Sequence, residues 1–269
     1  MKGQPSFATL LEGFFTQRLM QQRQASDHTI ASYRDTFRLL LQFIHKRLRK
    51  APSTLALEDI DAPLVVAFLD ELEKARGVTA RTRNLRLTAI RSFFRYVAFE
   101  APAHALQIQR VLAIPAKRFA RALVPFLSRE EVDALLAAPD QRTWSGRRDH
   151  ALILLAVQTG LRLSELTGLR QEDLHLGTSA HVRVIGKGRK ERCTPLSENT
   201  RAVLTAWLRE PPRAPGQPLF PNARGGQLSA HGMHYLLAKH VAAAAEVYPS
   251  LKHKHVSPHV LRHTAAMDL

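Results

Sequence analysis

Phe7, Leu10, Leu11, Phe14 and Phe15 recur at helical spacing, and polar residues from Gln21 to Asp27 close that run, which predicts a first helix ending there. Ile30, Tyr33, Phe37, Leu41, Ile44 and Leu48 follow in steps of three and four, while Arg34, Arg38, His45, Arg47 and Arg49 occupy other faces. This pattern predicts a long amphipathic helix with a basic side. Pro52 and short polar residues mark 51–61 as a loop, and Leu64 to Leu72 predicts a third helix. Beyond Gly77 an apolar stripe of Leu85, Ile90, Phe94 and Val97 predicts a fourth. Thr79, Arg81, Thr82, Arg83, Asn84, Arg86, Arg91 and Arg95 surround that stripe.

From Ala101 to Pro125 the helical pattern decays and three prolines appear, so the stretch reads as a tether. Ser128 with Glu131 three residues on makes a capping box ahead of Val132, Leu135 and Leu136, and a new helical unit begins there. His181 to Ile185 alternates and is β-branched, Gly186-Lys187-Gly188-Arg189-Lys190 turns, and Glu191 to Leu196 returns, which predicts a β-hairpin with a basic tip. Ser257 as cap and Pro258 at the first position start a last helix. The expected class is mainly α, of the α+β kind. The expected layout is a helical domain over 1–106, a linker over 107–123, and a mostly helical domain with a small antiparallel sheet over 124–269.

Charge narrows the function. The 269 residues carry 39 Lys and Arg against 23 Asp and Glu, a formal charge of +16. An excess of that size repels itself unless a polyanion neutralises it, and double-stranded DNA is the first candidate. Arg, Thr and Asn are side chains that reach phosphates and base edges, so two basic helices in one small domain favour DNA contact over a merely solvated face. Thr29, Arg34, Arg38, Arg81, Thr82, Arg83, Asn84, Arg86 and Arg91 are the candidates there, with Arg189 and Lys190 at the hairpin. Cys193 is the only cysteine, which excludes an intramolecular disulfide and a multi-thiolate zinc site and fits a reducing compartment. The longest apolar run, around Leu152 to Val157, is too short to span a bilayer. A cytoplasmic, nucleoid-associated location is expected.

The candidate chemistry lies in three places. In Thr159-Gly160-Leu161-Arg162-Leu163-Ser164-Glu165-Leu166, an apolar run ends at Gly160 and a helical pattern restarts, with Arg162 and Glu165 three apart. A guanidinium held that way suits a phosphate, because its planar fork gives two parallel hydrogen bonds and keeps its charge at any working pH. Its plainer counterpart is a loop arginine paired with a helix-terminal glutamate. Lys187 stands between two glycines, where an ammonium can approach an oxygen closely and donate a proton; its counterpart is a solvated hairpin lysine. A nucleotide P-loop does not fit, since His181 stands where its first glycine belongs and Gly188 where Ser or Thr is required. In Ser257-Pro258-His259-Val260-Leu261-Arg262-His263-Thr264, His259 and Arg262 project from one face near a positive helix end. Zinc at His259 and His263, with His253 and His255 nearby, is disfavoured because no acidic or cysteine ligand accompanies them. Arg162, Lys187, His259 and Arg262 form a set suited to phosphoryl transfer with no cofactor and no metal.

These stretches, with Ile185-Gly186-Lys187-Gly188 and Glu191-Arg192 behind it, resemble the tyrosine recombinases of the phage-integrase and Xer-like type. Thr29, Tyr33, Thr82, Asn84 and Arg91-Ser92-Phe93 resemble that family's core-binding pattern. The resemblance implies a C-shaped DNA clamp with a core-binding domain of SAM-like kind. By position, Arg162 and Arg262 correspond to the catalytic arginines, Lys187 to the hairpin lysine, His259 to the first histidine, and Glu165 to the acidic support. It implies DNA cutting and rejoining through a 3′-phosphotyrosyl intermediate.

The family's nucleophilic tyrosine, and a histidine or tryptophan before it, follow the second arginine. Here Tyr33, Tyr96, Tyr235 and Tyr248 all precede His259. The expectation is that the C-terminal segment carrying the nucleophile is lacking and that residues 1–269 bind DNA without cutting it unaided. Such a segment also docks on the neighbouring subunit in similar proteins, so a homotetramer on DNA is expected where it is present. A partner recombinase is a second possibility. The alternative function is a non-catalytic DNA-binding regulator at recombination sites. A type IB topoisomerase shares the chemistry, but the two-domain layout and the Arg-x-Ser-Glu-Leu stretch resemble recombinases more. Target sequence, reaction direction and source are not legible.

Overall fold

The structure is a computed structural model and describes residues 6–120, 125–186, 190–210 and 216–267. Lys187, Gly188 and Arg189, all singled out above, lie outside the described residues. The chain divides into two compact units, Met1–Arg121 and Ala122–Leu269. It is mostly helical, with one three-stranded antiparallel sheet.

In the first unit, α1 (Phe7–Gly13) runs directly into a π-helical segment, Phe14–Gln22, where a single α-helix was expected. Apolar periodicity predicts that a helix exists; it does not separate a π from an α hydrogen-bond ladder. Ser26 accepts from the Thr29 amide to cap α2 (Asp27–Leu48). Asp61 caps α3 (Ala62–Arg76) and Thr79 caps α4 (Ala80–Glu100), each accepting from the amide three residues on. The stretch expected to be a tether from Ala101 contains α5 (Ala105–Leu112), which packs on α4. Ile108 and Val111 bury themselves there, and the Gln107 amide donates to the Leu57 and Ile60 carbonyls. Two buried residues in so short a helix are too few to show as a periodic pattern.

The core of this unit is aromatic. The Phe14 ring is fully buried and lies 5.5 to 6.3 Å, centroid to centroid, from Phe15, Tyr33, Phe37, Phe93 and Tyr96. Phe14→Ala would remove a ring that five neighbours enclose. The expected loss is about 3–5 kcal/mol of unfolding free energy, read as a lower midpoint in urea at unchanged m-value.

In the second unit, α6 (Arg129–Ala137) opens with the expected capping box: Ser128 accepts from the Glu131 amide and Glu131 from the Ser128 amide. The apolar helix α7 (Trp144–Thr159) runs through the core. It shares a buried ion cluster with α10 (Ala230–Val247), in which Asp149 accepts from Arg148 at 2.7 Å and meets His240 at 2.8 Å. The short helix α8 (Leu163–Gly168) follows, then β1 (Leu174–His175), β2 (His181–Ile185) and β3 (Glu191–Pro195) in that order across the sheet. Arg183 lies opposite Cys193 and Ile185 opposite Glu191, the register of the expected hairpin. Helices α9 (Glu198–Leu208) and α11 (Pro258–Met267) complete the unit, and α11 packs closely along α7. Among the described residues, no helix is long and apolar enough to cross a membrane.

Candidate phosphate-binding site

Gly160 closes α7 in the left-handed region at φ +59°, as the sequence required, and its carbonyl accepts from Arg262 Nη1 at 2.6 Å. A side chain at Gly160 would be strained by that φ and would meet the Ala265 methyl at 3.3 Å, so a glycine lets α11 approach. Two segments about a hundred residues apart are thereby locked together. Arg162, immediately before α8, keeps 46% of its side chain exposed, so its fork remains open to a ligand on one side.

On the other side Arg162 is held by Glu165. The Arg162 amide donates to Oε2 at 2.7 Å and its Nη1 to Oε1 at 2.9 Å. Arg192 on β3 donates to the same two oxygens at 3.0 and 2.7 Å. Burial pushes the Glu165 carboxyl up, but the hydrogen bonds from Arg192 and Arg162 outweigh it and bring the group from 4.5 to about 2. Glu165 is therefore an anion throughout the neutral range, and Arg162 is clamped as a cation beside it.

His259 and Arg262 rise from the first turns of α11, whose Ser257 hydroxyl accepts from the Val260 amide at 3.4 Å. Arg162, His234, Ser257, His259 and Arg262 share the lining of one cleft of about 290 Å³. A second hollow of about 660 Å³ opens on the other flank of Arg162, beside Gln227 and Ser229 at the head of α10. The arrangement offers two guanidiniums, two imidazoles and a helix N-terminus to a single small anion. Among the described residues, no three His, Cys, Asp or Glu side chains are grouped to hold a metal ion.

Two histidines here were not assigned a role from the sequence. His263 Nε2 lies 3.1 Å from His259 Nε2, and His234 reaches the cleft from α10. The i,i+4 spacing of the first pair was visible but read only as a metal question. His234 carried no local signal, because its approach depends on how α10 packs.

The candidate DNA contacts of the first unit sort differently. Arg34, Arg38 and Arg81 are exposed, Arg38 with an ion pair to Asp35, and Thr29 and Thr82 stand at helix starts. Arg83 is buried at 4% exposure, 3.4 Å from Glu73, an interior place rather than the surface one expected of it. It shares the inner face of α4 with Leu87 and Ile90. Arg86 binds Asp35, Thr36 and the Ser32 carbonyl, Asn84 binds both backbone groups of Lys117, and Arg91 donates to the Ile114 carbonyl. These three tie α4 to α2 and to the irregular stretch after α5. Lys190, in the second unit, is exposed, and its carbonyl accepts from Gly186.

The model of the phage integrase family matches residues 125–269, and the model of the phage integrase N-terminal SAM-like domain matches residues 13–100. The chain belongs to the phage integrase family of tyrosine recombinases. Its similarity to relatives in this family runs along nearly its whole length. It is 67% identical over 264 residues to the putative integrase/recombinase y4rC of Sinorhizobium fredii, covering 98% of this chain and 80% of that one. It is 33% identical over 260 residues to the tyrosine recombinase XerC of Pelotomaculum thermopropionicum, covering 93% and 81%.

Among solved structures, the integrase-family chain resembles the XerH site-specific recombinase bound to a palindromic difH substrate in a post-cleavage complex. The TM-score is 0.67 at 23% identity, over 91% of this chain and 69% of that one. A lambda integrase dimer bound to a COC′ core site gives a TM-score of 0.66 at 17% identity, over 97% and 69%. At such identities the likeness is one of fold.

Proposed function

We propose that the chain acts in site-specific recombination of double-stranded DNA, with Arg162 and Arg262 holding the non-bridging oxygens of a scissile phosphate. The observation that carries this reading is the convergence of Arg162, His259 and Arg262 on one cleft from α8 and α11. In the reaction, a tyrosine hydroxyl attacks phosphorus, the 5′ oxygen leaves, and the 3′ phosphate is joined to the tyrosine. The two guanidiniums stabilise the added negative charge of the pentacoordinate state, and His259 moves the proton on the attacking side. Lys187 protonates the leaving oxygen, and Glu165 keeps Arg162 in place. Religation reverses these steps, so no external energy source is needed.

Of the four tyrosines, Tyr33 and Tyr96 belong to the first unit, Tyr248 packs against the second core, and Tyr235 is exposed on α10. None lines the cleft of Arg162 and Arg262. On this reading residues 1–269 alone bind DNA without forming a covalent adduct, and a tyrosine supplied by further chain or by a partner recombinase completes the site. On this reading the protein works on chromosomal or mobile DNA in the cytoplasm, with the nucleoid. Assembly into a tetramer on DNA accompanies strand exchange.

Binding is tested by fluorescence anisotropy on a duplex across a salt series. Affinity should fall steeply with salt, and Arg34→Ala or Arg81→Ala should each lower the slope of log K against log salt by about 1 while weakening all sequences alike. The alternative reading, a non-catalytic regulator, requires that adding a tyrosine-bearing partner restore no strand exchange. The exposed, clamped state of Arg162 favours the enzyme, since a protein that only covers DNA has no use for a guanidinium held open over a cleft.

A further inference from the structure

Every acceptor position of the Glu165 carboxylate is filled, and half of the donors come from a residue that the reaction described above does not use. Arg192 on β3 grips both oxygens as a two-pronged fork, and Arg162 takes the remaining positions through its amide and Nη1. The Glu165 side chain is only 6% exposed, whereas that of Arg192 is 36% exposed. Gly186, at the end of β2, completes the packing. A methyl group there would stand 2.9 Å from Arg192 Nη1 and 3.4 Å from Glu165 Oε1. A buried carboxylate facing a single arginine would pay a desolvation cost that one partner only partly offsets, and its side chain could rotate with that partner. With a bidentate second arginine it becomes a fixed post.

We propose that Arg192 is a positioning residue: it fixes the Glu165 carboxylate so that Glu165 can orient Arg162, and it thereby joins the β2–β3 hairpin to the Arg162 loop. This rests on the phosphate-binding reading of Arg162 for its functional meaning, though not for its geometry. The charged groups facing Glu165 are Arg162 from the loop before α8 and Arg192 from β3, while His234 of α10 lines the cleft together with Arg162. Arg192 makes no contact with that cleft. Its influence on a bound phosphate passes through Glu165.

The test is carbon-detected NMR of the Glu165 carboxyl, together with the Arg162 Nε–H signal, between pH 3 and 7. It is run on the 269-residue protein, Arg192→Met and Arg192→Lys. In the parent protein Glu165 should not titrate across this range and the Arg162 signal should be sharp and constant. In Arg192→Met the carboxyl should titrate within the range, and the Arg162 signal should broaden as it does so, with Arg192→Lys intermediate. Arg192→Lys keeps the charge and covers the case in which Arg192→Met does not fold. An Arg162 signal unchanged in a folded variant would overturn the proposal. A second arm measures duplex affinity for Arg192→Lys alone and combined with Arg162→Ala. A loss no larger than that of Arg162→Ala, and absent in the Arg162→Ala background, is expected, and additive losses would overturn it. Failure of the parent protein to bind duplex DNA would instead sink the recombination reading and leave the NMR arm to decide on Arg192.

Discussion

Arg262→Ala is expected to lower the rate of DNA strand cleavage by about 10²–10³-fold whenever the attacking tyrosine is supplied, with a much smaller loss of duplex affinity. The asymmetry follows from where the charge appears. A ground-state phosphodiester shares one negative charge between its free oxygens, whereas the pentacoordinate state gathers more, so a guanidinium at the cleft contributes more at the top of the barrier than in the bound complex. Arg162→Ala should behave alike. Arg262 also donates to the Gly160 carbonyl, so the alanine variant loses a link between α7 and α11 as well as a charge. Arg262→Lys separates the two effects: it keeps the cation but not the fork, and most of the rate loss should remain. The check is single-turnover cleavage against anisotropy on the same duplex. Equal losses in rate and affinity would assign Arg262 to uniform binding rather than to catalysis.

The second large effect is on acid stability. Glu165 sits at about 2 when folded, against an ordinary 4.5. A carboxylate whose pKa is depressed by folding contributes its full stabilisation above its unfolded value and loses it as pH falls toward the folded one. The window therefore runs from about pH 5 down to pH 2, and the contribution is on the order of 3 kcal/mol. Glu131 adds to it in the same direction. Burial pushes this carboxyl up, but the hydrogen bonds from Lys254 at 2.6 Å, Ser250 and the Ser128 amide bring it below the usual range. Both carboxylates belong to the second unit, so that unit loses their contribution on acidification. Glu165→Gln should be less stable at pH 7 than the parent, and the gap should close as pH falls below about 4. Urea midpoints at pH 7, 5 and 3.5 check this. A gap that stays constant with pH would mean that Glu165 carries no such linkage.

Much of this architecture was legible because it repeats locally. Ile90, Phe94 and Val97 form the buried face of α4 as expected, but Leu85 of the expected stripe is 60% exposed and Leu87 takes the inner place; the alternation from His181 to Ile185 ahead of a glycine turn marked a hairpin that the sheet shows. Ser128 and Glu131 announced the start of α6, and Gly160 the end of α7. The pairing of the cleft residues was visible for a related reason: i,i+3 spacing puts Glu165 behind Arg162 and His259 on the same face as Arg262 before any tertiary structure is known.

What escaped was decided by partners distant in sequence. Arg86 looks like any exposed helix arginine until α2 brings Asp35 against it, and Arg91 until the Ile114 carbonyl arrives. Arg83 looks like its exposed neighbours until α3 brings Glu73 to within 3.4 Å of it. His234 enters the cleft only because α10 packs beside α8 and α11. Arg192 was visible as part of a motif, yet its grip on Glu165 needs the hairpin folded back on the Arg162 loop. Basic composition pointed to a polyanion; it could not say which arginines were left exposed to meet one.

The most direct measurement is covalent trapping on a nicked suicide duplex bearing the recombination site. Residues 1–269 are assayed alone and with a tyrosine-bearing partner, and products are separated under denaturing conditions. No adduct from residues 1–269 alone, an adduct at the 3′ phosphate once the tyrosine is supplied, and its loss with Arg162→Ala or Arg262→Ala are the expected results. An adduct formed by residues 1–269 alone, or one that survives loss of both arginines, would contradict the account.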